Sequence, residues 1–304
     1  MMTVLLATRN RAESLGRMLE GLVGVHAPPG GWKLVIADNG SNDGTPQVLD
    51  RYVGRLPLSV VREPLAGKNR ALNRALSLAE GDLIVFTDDD VIPDPDWLVR
   101  LHEAAVAQPE AEVFGGTIIP LWPGSRPAFA SESAVDFGLL FAQKRRSTGW
   151  CKPEEIYGPN MAVRARMLED GFAFSEAVGP NQSQRSYVMG GEFDLLRRLS
   201  EAGFRAWFVA EARVQHIIRP EQLTEDWILE RYYRYGLFMN RNNWGRGPVG
   251  RAKRFVWSGL SVVAKLTPPS PMRLRIQSRR RLFEGIFAVD PSSLSAGHSQ
   301  EGPS

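Results

Sequence analysis

Residues Gly81 to Trp97 read GDLIVFTDDDVIPDPDW. Leu83, Ile84, Val85 and Phe86 form an unalternating apolar run, the pattern of a strand buried on both faces of a parallel sheet. Directly behind it stand Asp88, Asp89 and Asp90, three consecutive carboxylates that repel one another unless solvent, a cation or hydrogen-bond donors compensate them. Hard divalent cations take oxygen ligands, commonly one or two carboxylates completed by water and substrate phosphates. Ligands of open α/β sheets sit outside the carboxyl ends of the strands, where these aspartates fall. Asp94 and Asp96, by contrast, flank Pro95 just before Leu98, Leu101 and Ala105, and read as a capped helix start. Asp88 and Asp90 come too early for that cap, so a ligand is their better explanation.

Upstream, Val4 to Ala7 reads as a strand and Thr8, Arg9, Asn10 and Arg11 as the turn leaving it, with Leu15, Met18, Leu19, Leu22 and Val23 at helical spacing beyond. A strand over Lys33 to Ala37 ends in DNGSNDGT, crowded with turn residues. Another, Leu58 to Val61, leads through AGKNR into a helix carrying Ala71, Leu72, Ala75, Leu76 and Ala79. Alternating strands and helices predict an α/β fold with a mostly parallel central sheet and helices on both faces. Downstream, Phe114 to Ile119 is a strand and PLWPGSRP, 120–127, a connector. A helix is expected around Ala134 to Gln143, strands at Arg205 to Val209 and Arg213 to Ile217, and an aromatic helix from Leu223 to Asn240.

Composition narrows the class. A 43% hydrophobic chain of 304 residues suits a soluble globular protein. Cys151, the single cysteine, excludes an internal disulfide framework and leans towards a reducing compartment. No signal peptide is apparent, and no apolar run of about 18 residues could span a bilayer. The net charge of +3 conceals an asymmetry: residues 251–281 hold nine Lys or Arg and no acid, while Glu284, Asp290 and Glu301 follow. Residues 1–250 are therefore left at −3. Basicity belongs to the C-terminal appendage, and nothing points to a nucleic-acid partner.

Taken together, the strand ends gather Thr8, Asp38, Lys68, Arg70 and Asp88 to Asp90 around one crevice. Carboxylates with two cations suit a nucleotide diphosphate, Asp38 accepting a base imino hydrogen and a metal with the cations meeting the phosphates. There is no GxxxxGK[ST] loop and no GxGxxG turn, so neither a P-loop nor a dinucleotide site is signalled.

The motifs LATRNRAESL, IADNGSNDGT, AGKNRALNRALSLAEGD and FTDDDVIPDPDWL resemble the nucleotide-sugar half of family 2 glycosyltransferases, inverting enzymes of the GT-A fold, and the resemblance covers roughly 2–240. It implies a nucleotide-sugar half at 1–119 and an acceptor half at 120–245; charge and composition add a basic amphipathic helical appendage at 246–285 and a Ser- and Gly-rich tail at 286–304 expected to be disordered. It also implies that Thr8 and Asp38 hold the nucleobase, with Asn10, Lys68, Arg70 and Asp89 around the donor. Asp88 and Asp90 would be the DxD pair binding Mg²⁺ or Mn²⁺, and His216 is where some relatives place a further metal ligand. Gly158, Pro159 and Asn160 match the segment facing donor sugar and acceptor. The family usually carries Glu-Asp before x-[Asp/Glu]-Leu, that Asp being the catalytic base. Anchored on Asp194 and Leu195, this chain has Glu192 at the base position and Gly191 where the Glu would stand, with Asp194 a second candidate.

The implied activity is metal-dependent inverting transfer from a nucleotide diphosphate sugar, UDP favoured, to a hydroxyl of a carbohydrate or lipid-linked acceptor, as in cell-surface polysaccharide or glycolipid synthesis. The implied location is cytoplasmic, at the inner face of a membrane that residues 251–281 could contact. A sugar-nucleotide nucleotidyltransferase would want a glycine-rich basic loop after the first strand, and TRNRAE is not one. A non-catalytic membrane-associated scaffold would not need Asp88, Asp90 and Glu192 together.

Overall fold

The computed structural model describes residues 1–127, 131–169, 171–179 and 189–288. The tail from 289 on lies outside them. The chain divides into two units, Met1–Arg126 with Asp136–Gln222 and, so far as they are described, Pro127–Val135 with Leu223–Ser304.

The first unit runs β1 (Met2–Thr8), α1 (Ala12–Val23), β2 (Trp32–Asp38), α2 (Thr45–Tyr52), β3 (Leu58–Arg62), α3 (Lys68–Leu76), β4 (Leu83–Phe86), β5 (Val91–Pro93), α4 (Trp97–Ala107) and β6 (Val113–Leu121). It continues through α5 (Phe137–Phe141), β7 (Gly149–Cys151), β8 (Met161–Arg164), α6 (Ala165–Glu169), α7 (Gly191–Glu201) and β9 (Ala206–Ile217). The strands form one nine-stranded sheet in the order β3-β2-β1-β4-β8-β6-β9-β5, with β7 also on β9. β1 runs parallel to β2 and β4, β2 to β3, and β6 to β9. β8, β5 and β7 are antiparallel to their neighbours. Six strands therefore share one direction, the mostly parallel sheet that the sequence predicts.

Every residue of β1 is buried, because the pleat sends alternate side chains to opposite faces and helices cover both. Val4 and Leu6 pack with Leu34, Ile36 and the apolar sides of α1, α2 and α4. Leu5 and Ala7 pack with Val35, Ala37, α3 and α7 on the other face.

Three local expectations are corrected and one strand is added. The two strands expected at 205–209 and 213–217 are the single strand β9, whose register against β6 shifts between Gly116 and Thr117. A Cβ at Gly116 would lie 2.0 Å from the Ala212 carbonyl oxygen, so the irregularity needs glycine there. The helix expected over 134–143 is only α5, closed by Ala142 in the left-handed region. Asp96 does sit at the N-cap of α4 but makes no side-chain cap bond, its carboxylate meeting His26 Nδ1 at 2.9 Å instead. The chain after Asp90 also forms β5, which sets Val91 opposite His216 on β9. This pairing aligns the end of the acidic run with the end of β9.

The second unit holds α8 (Glu225–Arg241), α9 (Pro248–Ala264) and α10 (Pro271–Ile286). Thr224 and Ser270 cap α8 and α10, accepting from the amides of Trp227 and Arg273. α8 and α10 meet backbone to backbone, since a Cβ on Gly236 would lie 2.2 Å from the Leu282 carbonyl oxygen and 2.8 Å from Gly285 Cα. α8 thus groups with the C-terminal helices rather than with the sheet. A methyl at that crossing must force the helices apart, and overpacking of this kind costs about 1–3 kcal/mol. Gly236→Ala should accordingly lower the urea midpoint of the C-terminal unit, followed by circular dichroism at helical wavelengths. An unchanged midpoint would mean the crossing has slack.

Candidate active site

The site begins where β1 and β2 end side by side, with Thr8 and Asp38 in register. Asn39 N donates to the Thr8 carbonyl at 2.8 Å, and Asp38 Oδ1 accepts from Ser41 N at 2.9 Å. Asn10, at φ 51°, laces the two exit loops: its amide N–H donates to Ser41 Oγ at 3.0 Å and its Oδ1 accepts from Asn42 N at 2.8 Å. Asn39 does the same for the loop before α3, donating to the Glu63 and Leu65 carbonyls and accepting from Gly67 N. Lys68 then opens α3 on a fixed base.

Each of the three aspartates behind β4 has its own partner. Asp89 Oδ2 accepts from Thr8 Oγ1 at 2.7 Å. Asp88 Oδ1 accepts from Lys68 Nζ at 2.6 Å, and the same ammonium reaches Glu192 Oε1 at 3.2 Å. Asp90 Oδ1 lies 3.4 Å from His216 Nε2, while its Oδ2 accepts from Arg219 at 3.0 Å. Thr8, Asp88, Asp89, Asp90, Lys68, Glu192 and His216 are therefore brought together.

Electrostatics follow from burial set against partners. Burial would lower Lys68, but Asp88 and then Glu192 outweigh it and hold the ammonium above its usual range. Burial, then the Asp90 charge, push Asp89 up to about 7, against Arg11 and the Thr8 hydrogen bond. Burial would raise Asp90 too, yet His216, Arg11 and Arg219 hold it well below the ordinary carboxylate range. Burial would lower His216, and Asp90 overrides it. Cys151 is no nucleophile: burial pushes its thiol up to about 11.

The donor set fits a divalent ion that brings other ligands with it. His216 Nδ1 lies 2.7 Å from the Phe141 carbonyl, to which it donates; this orients Nε2 towards Asp90, the support a metal-binding imidazole ordinarily has. Among the described residues no group of three or more His, Cys, Asp or Glu is arranged to hold a metal alone. Asp90 and His216, with Asp88 nearby, make a partial oxygen and nitrogen shell of the type that substrate phosphates and water complete.

Glu192 stands in the first turn of α7, where the helix dipole favours an acid. A Cβ at Gly158 would lie 2.6 Å from its Cγ, so the glycine of the GPN segment is what admits it. Gly191 is explained likewise: a Cβ there would lie 2.5 Å from Asn69 Nδ2, whose amide holds the Ser175 and Val178 carbonyls. A side chain at position 191 would have to displace that amide.

Three residues named from sequence are used elsewhere. Asn160 is fully buried, its Oδ1 accepting from Trp97 Nε1 and its Nδ2 donating to the Thr117 and Ala212 carbonyls, so its amide braces the core rather than facing the crevice. Asp194 pairs with Arg198 at 3.1 Å, and Arg70 with Glu176 at 2.7 Å. Trp150 packs edge-on to Trp207, and Trp244 edge-on to Phe238. Sequence reading missed Arg219 and Arg11, which compensate the acids, and Thr87, whose hydroxyl donates to the Pro159 carbonyl and ties the GPN segment to the end of β4. The signal for Arg219 was a cation three residues beyond His216 at a strand end.

Residues 3–172, more than half of the chain, match the family described as glycosyl transferase family 2. The chain is similar to the glucosyl-dolichyl phosphate glucuronosyltransferase of Haloferax volcanii, 25% identical across 74% of this chain and 71% of that one. Its fold is like that of the mannosyltransferase PcManGT from Pyrobaculum calidifontis, solved with GDP-Man and Mn²⁺, at a TM-score of 0.57 and 19% identity over 92% of this chain and 69% of that one. It is also like TarS of S. aureus in complex with UDP-GlcNAc, at a TM-score of 0.56 and 15% identity over 97% and 92%. The chain belongs to glycosyl transferase family 2 and is a glycosyltransferase of the GT-A fold.

Asp89 carries a pH consequence. Unfolded it titrates near its model-peptide value of 3.8 and folded near 7, so between the two the folded state holds more protons and stability falls as pH rises. Asp89→Asn keeps an oxygen for Thr8 and removes the charge. Denaturant titrations should show a flatter pH dependence across that window and, above it, a gain on the order of 1 kcal/mol. A variant that parallels wild type at every pH would contradict this.

Proposed function

We propose that the chain transfers a sugar from a nucleotide diphosphate sugar, a UDP-sugar by preference, to an acceptor hydroxyl with inversion at the anomeric carbon and with the help of Mg²⁺ or Mn²⁺. The observation that carries this is the Lys68 bridge, 2.6 Å from Asp88 and 3.2 Å from Glu192, because it puts a candidate base and the acidic cluster at the two ends of one ammonium. In this reading Thr8 and Asp38, with Asn10, hold the nucleobase end of the donor. Lys68 meets the diphosphate, and Asp88, Asp90 and His216 are the protein ligands of the cation. A bound divalent ion would supply positive charge against the leaving diphosphate.

Glu192 takes the proton of the acceptor hydroxyl as its oxygen bonds to the anomeric carbon, and the electrons of the breaking sugar–phosphate bond leave with the diphosphate. Asp194, paired with Arg198, steadies the first turn of α7 on which Glu192 stands. Nucleotides of both kinds occur in structures with this fold, GDP-Man in one and UDP-GlcNAc in another, which supports the donor class. The acceptor proposed is lipid-linked, as the name of the haloarchaeal relative describes for that enzyme, at the cytoplasmic face of a membrane. Among the described residues no helix is long and apolar enough to cross one.

Two substitutions test the assignment. Glu192→Gln preserves shape and removes proton acceptance, so kcat should fall on the order of 10² or more with donor affinity retained. Turnover equal to wild type would move the role to another residue. Asp90→Asn should abolish the part of donor affinity that depends on added Mn²⁺, read by calorimetry with and without chelator. Equal affinity in all four titrations would remove the metal from the reading.

A further inference from the structure

α9 is built inside out. Gly250, Ser261 and Ala264 are its buried residues and Trp257 its half-buried one, all on one side at helical spacing. The opposite side carries the large apolar residues: Phe255 is 78% exposed, Val262 66%, Val263 64%, Val256 57%, and Leu266, just past the end of the helix, 86%. Phe255, Val262 and Leu266 recur at intervals of seven and four, so they form one continuous outward stripe. Exposed Arg251 and Lys265 border the apolar face beside Val262, and exposed Lys253 borders it on the far side, beside Val256. An ordinary surface helix has the reverse arrangement.

α10, which has the same basic and apolar composition, does not share this character. Its Leu274, Leu282, Phe283 and Ile286 are buried, and Arg280 and Arg281 are paired with Glu284. Of these two described helices, α9 is the one that turns its large apolar residues outward.

We propose that α9 docks on an anionic membrane surface, lying in the plane of the interface with the Phe255, Val262 and Leu266 stripe in the acyl boundary and Arg251, Lys253 and Lys265 among the headgroups. A contiguous exposed apolar patch marks an interaction site, and an apolar stripe with cations along both margins is the pattern of an interfacial helix. Charge decides between occupants. A second copy of the chain would set cations against cations, with no acid between 251 and 281 to neutralise them. An anionic leaflet supplies the counter-charge along the whole length of the helix. The inference rests on this surface and not on the transfer reaction.

The test is flotation of the full chain with phosphatidylcholine vesicles and with vesicles that also contain phosphatidylglycerol, at low and high salt. Binding should require the anionic lipid and weaken with salt. Lys253→Gln with Lys265→Gln should lower the partition coefficient about fivefold for each cation removed. Phe255→Ser with Leu266→Ser should lower it tenfold or more, and since both side chains are solvent-facing the fold is not at risk. Donor binding by that double variant, measured in parallel, should equal wild type, which separates failure here from failure of the transfer reading. The proposal is overturned if the wild type ignores anionic vesicles, or if the serine variant floats as well as wild type. It is equally overturned if the stripe instead holds a dimer in solution that the serine variant dissolves.

Discussion

Three adjacent carboxylates can stay ionised at a buried strand end only if each is compensated separately, and in this chain the compensation comes from four directions. Asp89 is held by Thr8 at the end of β1, Asp88 by Lys68 at the start of α3, and Asp90 by His216 at the end of β9 and Arg219 just beyond it. None of these partners is near the acids in sequence. The acidic run is therefore a knot that ties the parallel half of the sheet to the strand returning from the far side, and the crevice it lines has its geometry set by those ties. Compensation is also unequal: burial pushes both up, but Asp90 has a surplus of positive neighbours that hold it well below the ordinary carboxylate range, while Asp89 has a deficit and rises to about 7.

A second constraint is space. Glu192 reaches Lys68 only because Gly158 leaves its flank open, and α7 begins where it does only because Gly191 leaves room for the Asn69 amide. Asn69 in turn holds two carbonyls of the segment that precedes α7. Gly191 and Glu192 are thus each fitted to a neighbouring segment, Gly191 to the Asn69 amide of α3 and Glu192 to Gly158.

What was legible in the sequence was whatever depends on local pattern. Buried apolar runs marked β1, β2 and β4, and the turn residues behind them marked the crevice, because strand ends and ligand sites coincide in sheets of this kind. What was illegible depended on a distant partner. Asn160, Asp194 and Arg70 have the same chemistry as residues that do line the site, and only Trp97, Arg198 and Glu176 decide that they do not. β5 escaped notice because three residues give no periodicity, and its pairing with β9 comes from more than a hundred positions away in the chain.

The two C-terminal helices make the same point from the opposite side. In sequence α9 and α10 are alike, short, basic and apolar, and an amphipathic pattern says that one face is buried without saying which. In α10 the large apolar residues are the buried ones, because α8 offers Gly236 against Gly285 and the two backbones close tightly enough for Leu282 and Ile286 to fill the seam. In α9 the small residues are inside, and a face of Gly250, Ser261 and Ala264 can pack closely while burying little apolar area. The hydrophobic stabilisation that Phe255 and Leu266 could supply is left unused by the chain itself. Since burying one such side chain is worth about 1.5–3 kcal/mol, a face of five turned outward is a standing driving force for association with whatever surface can receive it.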